Sequence, residues 1–113
     1  MLTIEKLQAF GANTGEGLAR CMKNEALYLR LVGTIPSEKS FDALKTAIEE
    51  GDLRKAFEAA HTLKGVSGNL SLTPIYIPVV EITEQLRAGT DMDYTGEVDA
   101  ILAKRDELKA LCD

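Results

Sequence analysis

One histidine, one lysine and two glycines stand in this sequence where they could handle phosphate. The stretch LRKAFEAAHTLKGVSGNL, residues 53–70, reads as a helix, and within it His61, Lys64, Gly65 and Gly68 fall at i, i+3, i+4 and i+7. At about 100° per residue those four share one flank. His61 is the chain's only histidine. A neutral imidazole is a good nucleophile, and histidine is the side chain that changes charge near neutral pH. A phosphoryl group arriving at a ring nitrogen brings negative oxygens, which an ammonium one turn along can neutralise. Each glycine costs about 1 kcal/mol relative to alanine inside a helix. Bare positions beside His61 would let a phosphoryl group, or the protein that delivers it, approach the helix. Taken singly, each residue has a plainer use: a satisfied histidine, a solvated lysine, glycines that let helices pack closely. Only their combination on one flank points to chemistry.

The elements that must position this flank follow from punctuation and periodicity. Thr3 caps a first short segment that Gly11 stops, a second runs from Thr14 or Gly15, and Asn24 caps a third in which Leu27, Leu31 and Ile35 recur at helical spacing. Pro36 breaks the chain there. Four principal helices are expected over roughly 37–50, 53–70, 74–88 and 94–112. Phe41, Leu44, Ala47 and Ile48 form the stripe of the first, and Gly51 followed by Asp52 ends it and caps the next. Leu53, Phe57, Ala60, Leu63 and Leu70 are the expected inner face of the histidine helix. Thr73-Pro74 reads as N-cap and first helical position of the third, in which Pro78 would kink or delay the start. Val98, Ile101, Leu102, Leu108 and Leu111 turn the last helix inward. Short connections between amphipathic helices make antiparallel neighbours. The expected fold is all-α: an up-and-down antiparallel four-helix bundle with one or two short N-terminal capping helices, in a single domain over residues 1–113.

Composition narrows the function. The 113 residues carry a net charge of −5, with 45% hydrophobic and 27% charged residues and no Trp. Lys and Arg are scattered among acids, so the basic stripe that a nucleic-acid backbone demands is missing. No run reaches the length of a membrane span. Cys21 and Cys112 are isolated thiols without C-x-x-C spacing, and the expected setting is cytoplasmic. A metal-binding bundle is disfavoured by a single histidine and no E-x-x-H pair. Neither a Gly-rich phosphate loop nor a nucleotide-binding motif is present, so no kinase activity and no cofactor are expected.

The segment AHTLKGVSGNL resembles the histidine phosphotransfer (HPt) domain family, whose core pattern is His-x-x-Lys-Gly within an alanine-rich helix. Here that pattern is His61, Thr62, Leu63, Lys64, Gly65 after Ala59-Ala60. NEALYLRLV looks like the family's segment ahead of its first bundle helix, and EEGDLRKAFEAAHTLKG like the turn into the histidine helix. The resemblance implies a phosphoryl carrier in a two-component phosphorelay, with His61 as acceptor and donor, Lys64 as electrostatic stabiliser and Gly65 as clearance. Gly68 supports them, and on the following helix Gln85 and Arg87, with Glu84, are the polar candidates beside the histidine. Partners would be a response-regulator receiver domain, a hybrid histidine kinase, or both, and any Mg²⁺ would belong to the receiver. Arg54 is a docking candidate, and a monomer is expected. The initiating Met1 and compact length favour a free-standing shuttle. The competing reading is a helical-bundle scaffold that binds a receiver or kinase without transfer. The sequence departs from the family where Leu70-Ser71 stands in place of a usual Leu-Gly.

Overall fold

The computed structural model describes residues 1–113, and every regular element in it is helical. Helices α1 (Ile4–Phe10), α2 (Thr14–Arg20) and α3 (Glu25–Gly33) precede a 3-10 turn at Ile35–Ser37. The bundle follows as α4 (Ser40–Glu49), α5 (Leu53–Asn69), α6 (Thr73–Arg87) and α7 (Thr95–Cys112). Contacts run from α4 to α5, α5 to α6, α6 to α7 and from α7 back to α4, which closes the four-helix ring. All four expected bundle helices are present within three residues of their expected ends. The N-terminal part differs in number, with three short helices instead of one or two.

Caps explain where the elements start. Side chains of Thr3, Asn13, Asn24 and Asp52 accept from Lys6, Glu16, Leu27 and Lys55 backbone N–H groups. Helix α2 therefore starts at Thr14, one of the two expected starts, with Asn13 as its cap. Helix α6 starts one residue earlier than expected, with Leu72 as its cap, and it runs without interruption through Pro78. Pro78 sits early enough that the one backbone bond it removes does not break the packed helix.

The bundle buries Phe41, Leu44 and Ala47 from α4, and Ile75, Val79, Ile82, Thr83 and Leu86 from α6. From α7 it takes Val98, Ile101 and Leu108. Two stripes hold in part: Ala60, Leu63, Leu70 and Ile35 are buried as expected, but their other members are not. Helix α3 buries Tyr28 and Val32 and leaves Leu31 exposed. Helix α5 buries Ala56, Ala59, Ala60, Leu63 and Ser67, with Leu53 exposed and Phe57 half-buried. The reasons differ: small residues take inner positions of α5, and in α3 a tyrosine with a partner for its hydroxyl turns inward where hydrophobicity alone favours leucine. Tyr28 is fully buried, and its hydroxyl donates to the Leu70 carbonyl at 2.8 Å. Buried Ser67 and Thr83 donate to Leu63 and Val79 carbonyls one turn back, both at 2.6 Å.

The end of α5 accounts for the departure at Leu70-Ser71. Leu72 N–H bonds the Ser67 carbonyl and Ser71 N–H the Gly68 carbonyl, which is the helix stop that calls for a left-handed residue after the cap. Ser71 occupies that place at φ 55, only 7% exposed, with its hydroxyl unpartnered. Glycine would adopt the conformation without strain.

Two stability predictions arise from these contacts. Ser71→Gly removes both the left-handed side chain and the orphaned hydroxyl, and should raise stability by about 1 kcal/mol in urea melts. Tyr28→Phe leaves the Leu70 carbonyl unpaired and should lose about 1–2 kcal/mol. Burial pushes the Tyr28 phenol above its ordinary 10.0, and Cys21 adds in the same direction. A raised pKa means stability held below pH 10 and lost as pH climbs toward the folded value. Urea melts between pH 8 and 11 should therefore show a steeper alkaline decline for wild type than for Tyr28→Phe.

Candidate functional site

Helix α5 sets the site because one side of it is sealed and the other is left open. The sealed side is the Ala56, Ala59, Ala60, Leu63 and Ser67 face, and turning about 100° per residue from it brings His61 and Gly65 out to solvent. Both are exposed, whereas Lys64 is half-buried. An open groove of about 600 Å³ contains all three together with Gly68, and it continues past Asn69 and Ser71 to Thr73, Tyr76 and Ile77 of α6. Glu16 and Arg20 of α2 complete its lining.

The charge at Lys64 is uncommitted. None of the chain's ion pairs includes it, although other lysines and arginines on the bundle take acidic partners. A half-buried lysine without a counter-ion favours a negative group beside it. His61 has an aromatic neighbour one turn back, with its ring centroid 5.8 Å from that of Phe57.

The two glycines divide their work. A Cβ at Gly65 would meet nothing within 4 Å, so this position is open ground beside the histidine. A Cβ at Gly68 would lie 2.9 Å from Cε1 of Tyr76. Gly68 is thus a packing glycine that admits the α6 tyrosine, which forms part of the groove wall. Of the two, only Gly65 has open space beside it.

The polar residues expected from the next helix stand elsewhere. Gln85 is absent from the groove and belongs to the α6–α7 junction. With its amide turned so that nitrogen faces the carboxylate, that nitrogen lies 2.9 and 2.6 Å from Glu97 Oε1 and Oε2. Arg87 pairs with Glu84 at 3.4 Å and places its guanidinium 5.2 Å from the Phe57 ring centroid. Phe57 thus lies against both Arg87 and His61. Arg54 pairs with Glu58 at 3.6 Å on the surface and shares a second hollow with Leu53, Phe57, Leu86 and Arg87. The sequence reading missed Tyr76 and Ile77, and also Glu16 and Arg20. Only the paired spacing of Gly68 with a downstream aromatic could have signalled the first. No group of three His, Cys, Asp or Glu side chains is placed to hold a metal ion, and no helix is long and apolar enough to cross a membrane.

Opposite outcomes are expected at the two glycines. Gly65→Ala adds helix propensity in open space and should gain up to about 1 kcal/mol in thermal or urea unfolding. Gly68→Ala must displace the Tyr76 ring, so it should be less stable than Gly65→Ala by about 1 kcal/mol or more.

A family model described as the Hpt domain matches residues 36–113. That stretch holds the four bundle helices and His61, and leaves out α1 to α3, including the Asn24–Val32 segment likened above to the family. No curated protein and no solved structure gave a match.

Proposed function

The chain belongs to the Hpt domain family, a family of phosphocarrier modules in two-component phosphorelays, and from that premise we propose that His61 carries the phosphoryl group. One observation carries the assignment. The only histidine is exposed on α5, one turn from a lysine free of any ion pair and beside a glycine with open space around it.

The proposed reaction is a reversible exchange with an aspartyl phosphate of a receiver domain. The lone pair of His61 Nε2 attacks phosphorus, a P–N bond forms as the acyl phosphate P–O bond breaks, and the aspartate leaves as a carboxylate with the electron pair. Lys64 faces the phosphoryl oxygens and offsets their charge as they come to rest on the ring. Gly65 leaves the approach open on that side. The receiver is proposed to bring the Mg²⁺ and the remaining catalytic groups, with a hybrid histidine kinase as the source of phosphate upstream. Leu53, Phe57, Tyr76 and Ile77 supply apolar surface on either side of His61, and Ile77 is 55% exposed. Arg54 and Arg87 stand at the rim of that surface. A chain acting only as a scaffold would have no use for an unpaired lysine beside an exposed histidine.

Incubation with a phosphorylated receiver domain tests the reading. Wild type should acquire acid-labile, alkali-stable phosphate, and His61→Ala should acquire none. Lys64→Ala should label about 10- to 100-fold more slowly. Wild-type protein that binds several receivers yet never labels would establish the scaffold instead.

A further inference from the structure

One wall of the His61 groove comes from outside the family-matched segment. Glu16 and Arg20 belong to α2, within residues 1–35, yet they line the same groove as His61 and Lys64. A seven-residue helix does not persist by itself, so its position is imposed by contacts. Asn13 N–H donates to the Ser71 carbonyl at 3.0 Å, which ties the start of α2 to the stop of α5. A Cβ at Gly17 would lie 2.5 Å from Cε1 of Tyr28, so only glycine lets α2 rest on that ring. The ring is in turn anchored to α5 by the Tyr28–Leu70 bond. Beyond Arg20 the chain reverses through Met22 and Lys23, both left-handed at φ 56 and 59.

These contacts deliver Arg20 to the groove from its Leu70–Ser71 end. Its Nε and Nη2 both donate to Glu16 Oε1, at 3.2 and 3.0 Å, while Asn13 Nδ2 donates to the other Glu16 oxygen at 3.2 Å. The guanidinium is thereby oriented with two of its five N–H groups used. Arg20 remains half-exposed. Within a chain of net charge −5, the groove lining holds two cations, Arg20 and Lys64, against the single acid Glu16. Helical rise puts Asn69 about 12 Å along the axis from His61. Lys64 is the cation at the histidine, whereas Arg20 stands where a protein lying along the groove would pass.

We propose that Arg20 is a specificity-determining residue for phosphotransfer: its free N–H groups take an acidic side chain of the docked receiver domain, with Glu16 holding the guanidinium in place. The inference rests on His61 being the phosphoryl carrier. It makes the N-terminal helices part of partner choice rather than a passive cover for the bundle.

Labelling of His61 by phosphoramidate, a small donor, is compared with labelling by a phosphorylated receiver domain that serves wild type. Arg20→Glu should lower the kcat/KM of the receiver reaction by about tenfold relative to the phosphoramidate reaction, chiefly through KM. Arg20→Lys, which keeps the charge, should stay within about threefold of wild type. Added salt should narrow the gap between wild type and Arg20→Glu. Equal losses with both donors would mean that Arg20 acts on His61 or on the fold, and would overturn the proposal. So would an unchanged receiver reaction in Arg20→Glu. Wild type that labels with neither donor would instead bring down the carrier reading, and this inference with it.

Discussion

Helix α5 has to be packed hard on one face and stripped bare on the other, and the remaining structure is arranged around that demand. Its inner face is Ala56, Ala59, Ala60, Leu63 and Ser67. Small residues let α4 and α6 lie against it from both sides, which fixes its rotation and hence the direction of His61. A leucine-filled face would hold the same helix with greater apolar burial, but neighbouring helices would stand further off. The alanines also explain why Leu53 and Phe57 lie on the outer side. Leu53 is left exposed, and Phe57 packs half-buried at the edge of the core with its ring toward the imidazole.

The histidine helix is fixed along its length as well as in rotation. Its C-terminal stop at Leu70 and Ser71 receives two long-range bonds from the N-terminal segment, one from the Tyr28 hydroxyl and one from Asn13 N–H. A 17-residue helix is about 26 Å long, whereas the molecule extends 41 Å along its main axis. The N-terminal helices occupy part of that difference and meet the bundle at the turn from α5 into α6 and on α7. They connect the end of the histidine helix to the groove wall, so the burial of Tyr28 and the position of Arg20 are one structural fact.

Much of this was legible in the sequence because the signals were local. Asp52, Gly51, Asn24 and Pro36 mark boundaries through backbone chemistry that operates within a turn, and the bundle helices end close to where those residues place them. His61, Lys64 and Gly65 were legible as a flank because helical spacing alone brings them together. Failures came where the outcome depends on partners distant in sequence. Which of Leu27 or Tyr28 turns inward is decided by Gly17 and the Leu70 carbonyl, neither of which can be weighed from α3 alone. Gln85 is polar and on the helix that follows the histidine, but Glu97 on α7 claims it. Gly68 and Gly65 read identically in sequence, and only the Tyr76 ring separates them.

The departures from local rules fall at the stops of two helices that line the groove. Helices α1, α4 and α6 stop at left-handed glycines, Gly11, Gly51 and Gly89, which adopt that conformation without steric cost. Helices α2 and α5 stop instead at Met22 and Ser71, with side chains where glycine would be the more stable choice. Ser71 itself lines the groove and keeps an unpartnered hydroxyl there. A chain that uses glycine at three such stops has ready access to it at the other two. Strain at turns next to the groove fits the proposed use of that surface for recognition. The family-matched bundle presents the histidine, and the strained turns hold the added wall beside it.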